Sequence, residues 1–341
     1  HSKEMGDSKR IYEEISREIP KEISEKKFFK GTPLDSPISW QITPPLYNDY
    51  ERSFNIVKSN IMAGNSYLTN LTNRVPVSCN LSLEEIFHRA KGKYKLLLRR
   101  KRTQAEDKAH LKEENIEENL TPFVCFSPET FVRIKGGRIY SYPMKGTLDA
   151  SLPNAEKLLM EDRKEAAEHA TIVDLIRNDL SRVAEDVRVD KYRYVDVLHT
   201  NKGDILQTSS EISGRLPEDY PHHLGEILDA QLPAGSITGA PKDKTMQIIQ
   251  EAEGYDRGFY TGIMGIYDQG ELNSAVMIRF IEEETSPVDF EADGEKNFKA
   301  NEGKKPKKSR KLYFKAGGGI TSKSDCRSEY EEVIQKIYLP F

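Results

Sequence analysis

Between Tyr47 and Ala63 the apolar residues Tyr50, Phe54, Val57 and Ile61 recur at the spacing of one helix face, and the run stops at Gly64. The segment that follows, SYLTNLTNRVPV (66–77), is rich in β-branched residues and bounded by turn formers, which predicts a strand. LSLEEIFHRA (81–90) predicts a short helix, and alternating apolar residues on either side of Gly136-Gly137 predict a tight hairpin. A long helix is predicted from Asn154 to Glu185, with Ile172, Ile176, Leu180 and Val183 as its apolar stripe. Residues 188–216 then predict two or three strands, and HLGEILDAQL (223–232) a helix. GFYTGIMGIYDQGELNSAVMIRFIEE (258–283) reads as a hairpin turning at Asp268-Gln269-Gly270, apolar on both faces and so buried. KLYFKAGGGITSKS (311–324) is a strand running into three glycines, and SEYEEVIQKIYL (328–339) is the last helix.

Charge-dense stretches with too little apolar content for a core interrupt this pattern near 99–120 and 282–310. They predict solvated insertions in a single domain over residues 40–341, after a partly mobile N-terminal extension over 1–39. The net charge of −4 argues against nucleic-acid binding, which wants a basic surface. With no apolar run near the length of a bilayer span, no membrane contact is expected. The three cysteines form no CxxC pair, which fits packing residues in a reducing cytoplasm.

Candidate chemistry concentrates in LPAGSITGAPKDKTMQIIQEAE (232–253). Two glycines, two hydroxyl residues and Pro241-Lys242 open into an apolar-periodic helix, so backbone amides, a helix N-terminus and the Lys242 charge would converge on an anion. The hairpin at Gly136 brings Glu129, at its entry, back toward Lys145, at its exit. Such a pair serves as acid and nucleophile or equally as a surface ion pair. Glu165 and Glu168 stand three apart on one helix and Glu329 and Glu332 on another, a spacing that exposed surface glutamates share with oxygen ligands for a hard cation. Arg279, in an apolar strand, is costly unless it meets an anion, and the glycines at 317–319 could offer amides to a carboxylate.

These motifs, SPETF (127–131), YPMKGT (142–147), TIVDLIRNDLSRV (171–183), GSITGAPKDK (235–244) and KAGGGI (315–320), stand in an order that resembles the chorismate-utilising enzymes, most nearly those of the aminodeoxychorismate synthase component I type. The resemblance implies an α+β fold of two large, mainly antiparallel sheets packed together with helices outside. It implies a Mg2+ cofactor on Glu168, with Glu165, Glu329 and Glu332 completing the cage. It assigns substrate contacts to Gly235, Ser236, Thr238, Gly239, Lys242, Tyr267, Arg279, Gly317 and Gly318. In the implied mechanism Lys145 attacks C2 of chorismate as the 4-hydroxyl leaves, protonated by Glu129, and ammonia then displaces the lysine by attack at C4. Lys145 must be neutral and Glu129 protonated for this.

Two positions depart from the family pattern. Gln207 stands where relatives commonly place a histidine three residues before Ser210, and it can hydrogen-bond but not serve as acid or base. Leu68 stands where water-adding relatives carry a lysine base, which weighs against isochorismate or salicylate synthesis. Anthranilate synthases typically have Ala where this chain has Lys145. The sequence holds no glutaminase nucleophile, so a glutamine amidotransferase subunit is the expected ammonia source and an aminodeoxychorismate lyase the expected consumer of product.

Overall fold

A computed structural model of the chain describes residues 37–99, 121–200, 203–286 and 309–341. The expected N-terminal extension and two polar insertions fall, but for their edges, outside these residues. In chain order the strands are β1 (Trp40–Ile42), β2 (Leu68–Cys79), β3 (Tyr94–Leu98), β4 (Phe123–Ser127), β5 (Thr130–Lys135), β6 (Arg138–Ser141), β7 (Met144–Asp149), β8 (Glu185–Thr200), β9 (Gly203–Arg215), β10 (Gly239–Ala240), β11 (Ile263–Asp268), β12 (Glu271–Val276), β13 (Phe280–Ser286) and β14 (Ser309–Ile320). The helices are α1 (Tyr47–Met62), α2 (Leu83–Arg89), α3 (Ala155–Glu161), α4 (Arg163–Leu180), α5 (Leu224–Gln231), α6 (Gly235–Thr238), α7 (Lys242–Glu253) and α8 (Cys326–Gln335).

The strands form two sheets whose ladders, among the described residues, are all antiparallel. One runs β1-β2-β14-β13-β4-β3, with β10 also on β2; the other runs β11-β12-β5-β6-β9-β7, with β8 also on β9. This is the α+β architecture that the resemblance implied. A cluster of Phe123, Cys125 and Phe280 from the first sheet with Tyr260, Met277 and Met264 joins the two. One core layer sets Val173, Ile176 and Leu180 of α4 against Ile134, Ile139 and Ile212 of the second sheet. Ile38–Phe341 make one compact unit, and no helix among the described residues is long and apolar enough to cross a membrane.

Local rules account for most elements. α1 buries Tyr50, Phe54, Val57 and Ile61, the stripe its spacing predicted. α2 is opened by a capping box between Ser82 and Glu85. The hairpin at Gly136-Gly137 turns with both glycines at positive φ, as a two-residue turn between right-twisted strands requires.

Three expectations need correction. The long helix over 154–185 is two helices, because Asp162 leaves the helical conformation and its carboxylate accepts from the Glu165 N–H at 3.0 Å, starting α4 anew. β11 is not buried on both faces: it is the edge strand of its sheet, and Ile266 is 77% exposed. The three glycines do not follow the last strand but lie within β14, paired with Thr72, Leu71 and Asn70.

Gly239 shows how tightly β10 is docked. Its φ is +126°, and a Cβ there would run into the Leu68 carbonyl. Gly239→Ala is therefore expected to destabilise the fold by about 3 kcal/mol, through backbone strain and overpacking, read as a lowered denaturation midpoint.

Candidate active site

The chain passes between the sheets at two neighbouring places, from β4 to β5 through Pro128-Glu129 and from β12 to β13 through residues 277–279. The crossings are tied together: Val276 N–H donates to the Glu129 carbonyl at 3.2 Å, and Phe126 N–H to the Arg279 carbonyl at 3.2 Å. Glu129 and Arg279 thus come together because both strands change sheet there. Arg279 adopts a left-handed backbone (φ 58°), and its Nε is buried without a hydrogen-bond partner among the described residues. An orphaned guanidinium N–H in a partly buried place is a site waiting for an acceptor.

The Glu129 carboxylate accepts from the Ser236 hydroxyl at 2.5 Å. Burial pushes its proton affinity up, and this outweighs the opposing pull of the Ser236 bond and of the Lys145, Arg279 and Lys336 charges. Three cations thus lie around one carboxyl whose proton affinity is raised by burial, an arrangement suited to an anionic ligand.

Lys145 lies at a bulge in the pairing of β7 with β9, between Lys145 and Thr147, and Thr208 donates from its hydroxyl to the Lys145 carbonyl. Its Nζ is 4.0 Å from Glu168 Oε2, and the two side chains are 26% and 20% exposed. Glu165 stands one turn earlier on α4, its Oε2 3.3 Å from where a Cβ on Gly146 would lie.

The glycine run of β14 separates this group from α8. A Cβ on Gly318 would come within 3.5 Å of Glu329 Oε2, 3.7 Å of Lys336 Nζ and 4.0 Å of Glu332 Oε1. One residue on, a Cβ on Gly319 would lie 3.5 Å from Lys145 Nζ and 3.0 Å from Leu68 Cδ1. Since adjacent strand residues face opposite sides, the glycines leave room on both faces of the strand at one level.

The expected four-glutamate cage is not closed. Among the described residues no three His, Cys, Asp or Glu side chains converge as metal ligands. The carboxylates instead flank the glycine strand, Glu168 and Glu165 beside Lys145, Glu329 and Glu332 beside Lys336. Glu329 is only 7% exposed. All-oxygen donors of this kind fit a Mg2+ ion that takes one or two carboxylates and completes its shell with water and substrate oxygens.

Other candidates are placed elsewhere. Lys242 pairs with Asp179 at 2.8 Å, both nearly buried, and donates to the Gln231 carbonyl at 3.0 Å, so its charge is used within the fold. Lys242→Met is expected to cost about 3–5 kcal/mol in stability, the effect of orphaning a buried charge, which chemical denaturation would read. Gly235 packs against Leu175 and Asp179, and Thr238 is buried, so these two positions and Gly239 hold the α6 turn in place while Ser236 alone reaches Glu129. Tyr267 pairs with Leu272 at the turn end of β11, four residues from Ile263, which pairs with Val276 beside Glu129; that is roughly 13 Å along the strand. Gln207 pairs with Thr147 and points to the opposite face from Thr208, away from α4 and Lys145. In the Gly317–Gly319 segment, Thr72 N–H and the Asn70 carbonyl turn away from β14 to Glu253 and Arg257, so the bonded pair is Gly318 with Leu71. The Gly318 amide is therefore occupied in the ladder.

Lys336 is the residue the sequence reading missed. Its Nζ donates to the Gly317 carbonyl at 2.9 Å and pairs with Glu332 at 2.7 Å, and burial lowers its proton affinity. Its position four residues after Glu332 on the face of both glutamates was the available signal. His169, beside Glu168, is fully buried with Nε2 2.6 Å from Ser210 Oγ, and burial, with the nearby Arg193 and Lys145 charges, pushes it down to about 4. The serine that relatives precede with a histidine thus meets one arriving from α4.

A profile of the chorismate-binding enzymes matches residues 4–294. The chain belongs to the chorismate-binding enzyme family. It is 47% identical over 309 residues to an uncharacterized PabA-like protein of Haemophilus influenzae, covering 91% of this chain and 80% of that one. Over 239 residues it is 32% identical to aminodeoxychorismate synthase component 1 of Salmonella typhimurium, covering 64% of this chain and 46% of that enzyme. Anthranilate synthase component I from Streptococcus pneumoniae shares the fold, with a TM-score of 0.64 at 23% identity over 97% of this chain; the match spans 64% of that structure.

Proposed function

We propose that the chain aminates chorismate, replacing the C4 hydroxyl with an amino group to give 4-amino-4-deoxychorismate. The observation that carries this reading is the Lys145 amine, held beside Glu168 at the opening left by Gly319, with Glu129, whose proton affinity burial raises, in the same cluster. The Lys145 amine attacks C2 of the ring, and Glu129 gives its proton to the departing 4-hydroxyl, which leaves as water. Arg279 and Lys336 bind the substrate's carboxylates. The Glu129 carboxylate takes up the proton that the Lys145 nitrogen sheds, and ammonia then attacks C4 as the C2–N bond breaks, its own shed proton going to the departing lysine amine. A Mg2+ ion would be held by one or two of Glu168, Glu165, Glu329 and Glu332 and would supply Lewis-acid polarisation of a substrate carboxylate.

Leu68 favours amination over hydration. It is buried against Gly319 next to Lys145, so the place where a water-activating base would act is occupied by a group that takes no proton. Ammonia is supplied by a glutamine amidotransferase subunit, and a lyase consumes the product on the way to 4-aminobenzoate and folate. The three cysteines are free, in keeping with a cytoplasmic setting. Mass spectrometry of the product formed from chorismate, ammonium chloride and Mg2+ tests the assignment. The expected product retains its enolpyruvyl group and carries nitrogen in place of one hydroxyl; release of pyruvate, or a product without nitrogen, contradicts it.

A further inference from the structure

The chain passes from the glycine run of β14 to α8 through a turn at residues 321–325, and one side chain of α1 holds that turn. Lys58 lies four residues after Phe54, at the edge of the buried α1 stripe, with its ammonium 5.9 Å from the centre of the Phe54 ring. The same ammonium donates to the carbonyls of Thr321, Ser322 and Ser324 at 3.3, 2.7 and 2.8 Å. Its charge also acts on the Asp325 carboxylate, which caps α8 by accepting from the Ser328 N–H at 3.0 Å. Three carbonyl oxygens that converge on one point repel one another unless a cation stands between them. An ammonium fills that role with its three N–H groups.

Both ends of this turn belong to the candidate site. Gly318 and Gly319 precede it, and Glu329, one turn into α8, comes back to lie beside Gly318. The start of α1 braces the same helix a residue further on. There Tyr330 meets Tyr47 and Tyr50 edge-on, each pair with ring centres 5.4 Å apart, and donates its hydroxyl to the Pro45 carbonyl at 2.9 Å. We propose that Lys58 is a positioning residue for the α8 carboxylates, its ammonium standing in the turn as a built-in monovalent cation that sets Glu329 and Glu332 against the glycine strand. This inference rests on the reading in which an α8 glutamate holds Mg2+. Without the charge the three carbonyls part and the first turn of α8 shifts, while Tyr330 keeps the helix docked. The glutamates then meet the metal less well. Lys145, on β7, and Glu129, at the crossing from β4 to β5, lie on other elements and keep their places.

Two variants test this. Lys58→Ala leaves the carbonyl cradle open, and Lys58→Met fills most of it without a charge. Calorimetric titration with Mg2+ is run first in a tetramethylammonium buffer, whose cation is too bulky for the cradle. Both variants are expected to bind Mg2+ about tenfold more weakly than the wild type, the scale on which partners behind a metal ligand act. Replacing the buffer cation by K+, which is close to an ammonium in size, is expected to restore Lys58→Ala and to leave Lys58→Met weak. Amination kinetics use Lys58→Met, because the ammonium substrate would itself enter the open cradle of the alanine variant. A raised KM for Mg2+ at unchanged kcat is the expected result. Either variant alone tests the loss of affinity should the other not fold. A lysine that only supported the fold would lower the denaturation midpoint and leave Mg2+ binding by the folded protein intact; that outcome, or weakened binding in Lys58→Ala that K+ does not restore, overturns the proposal. Wild-type affinity in both variants sinks this inference and leaves the metal reading standing, whereas a wild-type protein that takes up no Mg2+ brings down both.

Discussion

Replacing Lys145 by alanine is expected to lower the rate of chorismate amination by at least about 10³-fold, the scale on which loss of a covalent nucleophile acts, without a matching loss of stability. The side chain is a quarter exposed and forms a 4.0 Å ion pair with Glu168, so little packing is lost. The effect should fall on the chemical step, with kcat reduced and substrate binding retained through Arg279 and Lys336. An enzyme that merely binds chorismate electrostatically would instead show a raised KM at near-normal kcat.

Glu129→Gln is expected to lower kcat by about 10²–10⁴-fold, the range of a lost general acid. The pH profile gives a second readout. Burial raises the proton affinity of Glu129, and an acid works only while protonated, so activity is present below its folded-state pKa and is lost as pH rises through it. Glutamine cannot titrate, so this alkaline limb of the kcat/KM profile should vanish in the variant. The same sign holds for stability: the contribution of a raised carboxyl is fully present below its unfolded pKa and lost as pH rises through the folded one.

Much of this was legible in the chain because it follows from local periodicity. The α1 stripe, the hairpin at Gly136-Gly137 and the Glu-x-x-Glu pairs report themselves within a few residues, whatever the rest of the molecule does. What escaped depends on partners distant in sequence. Nothing local shows that the chain changes sheet at Glu129 and again at Arg279, yet that double crossing is what assembles acid and guanidinium. Lys242 looked like an anion ligand because its charge follows a glycine loop, but Asp179, 63 positions earlier, claims it. The resemblance assigned Tyr267 to the substrate along with Arg279, but an extended strand carries it to the turn end, away from the crossing. Lys336 was passed over since a lysine late in an amphipathic helix is ordinarily a solvated residue. Only the approach of α8 to Gly317 makes it part of the cluster.

The claim on which everything turns is that the Lys145 amine forms a bond to the substrate ring. Quenching the protein after mixing with chorismate and Mg2+ but no ammonium, then mapping its peptides by mass spectrometry, tests this directly. The account predicts a modification on Lys145 equal to chorismate less one water, discharged when ammonium is added. An unmodified Lys145 in a preparation that goes on to aminate chorismate would contradict it.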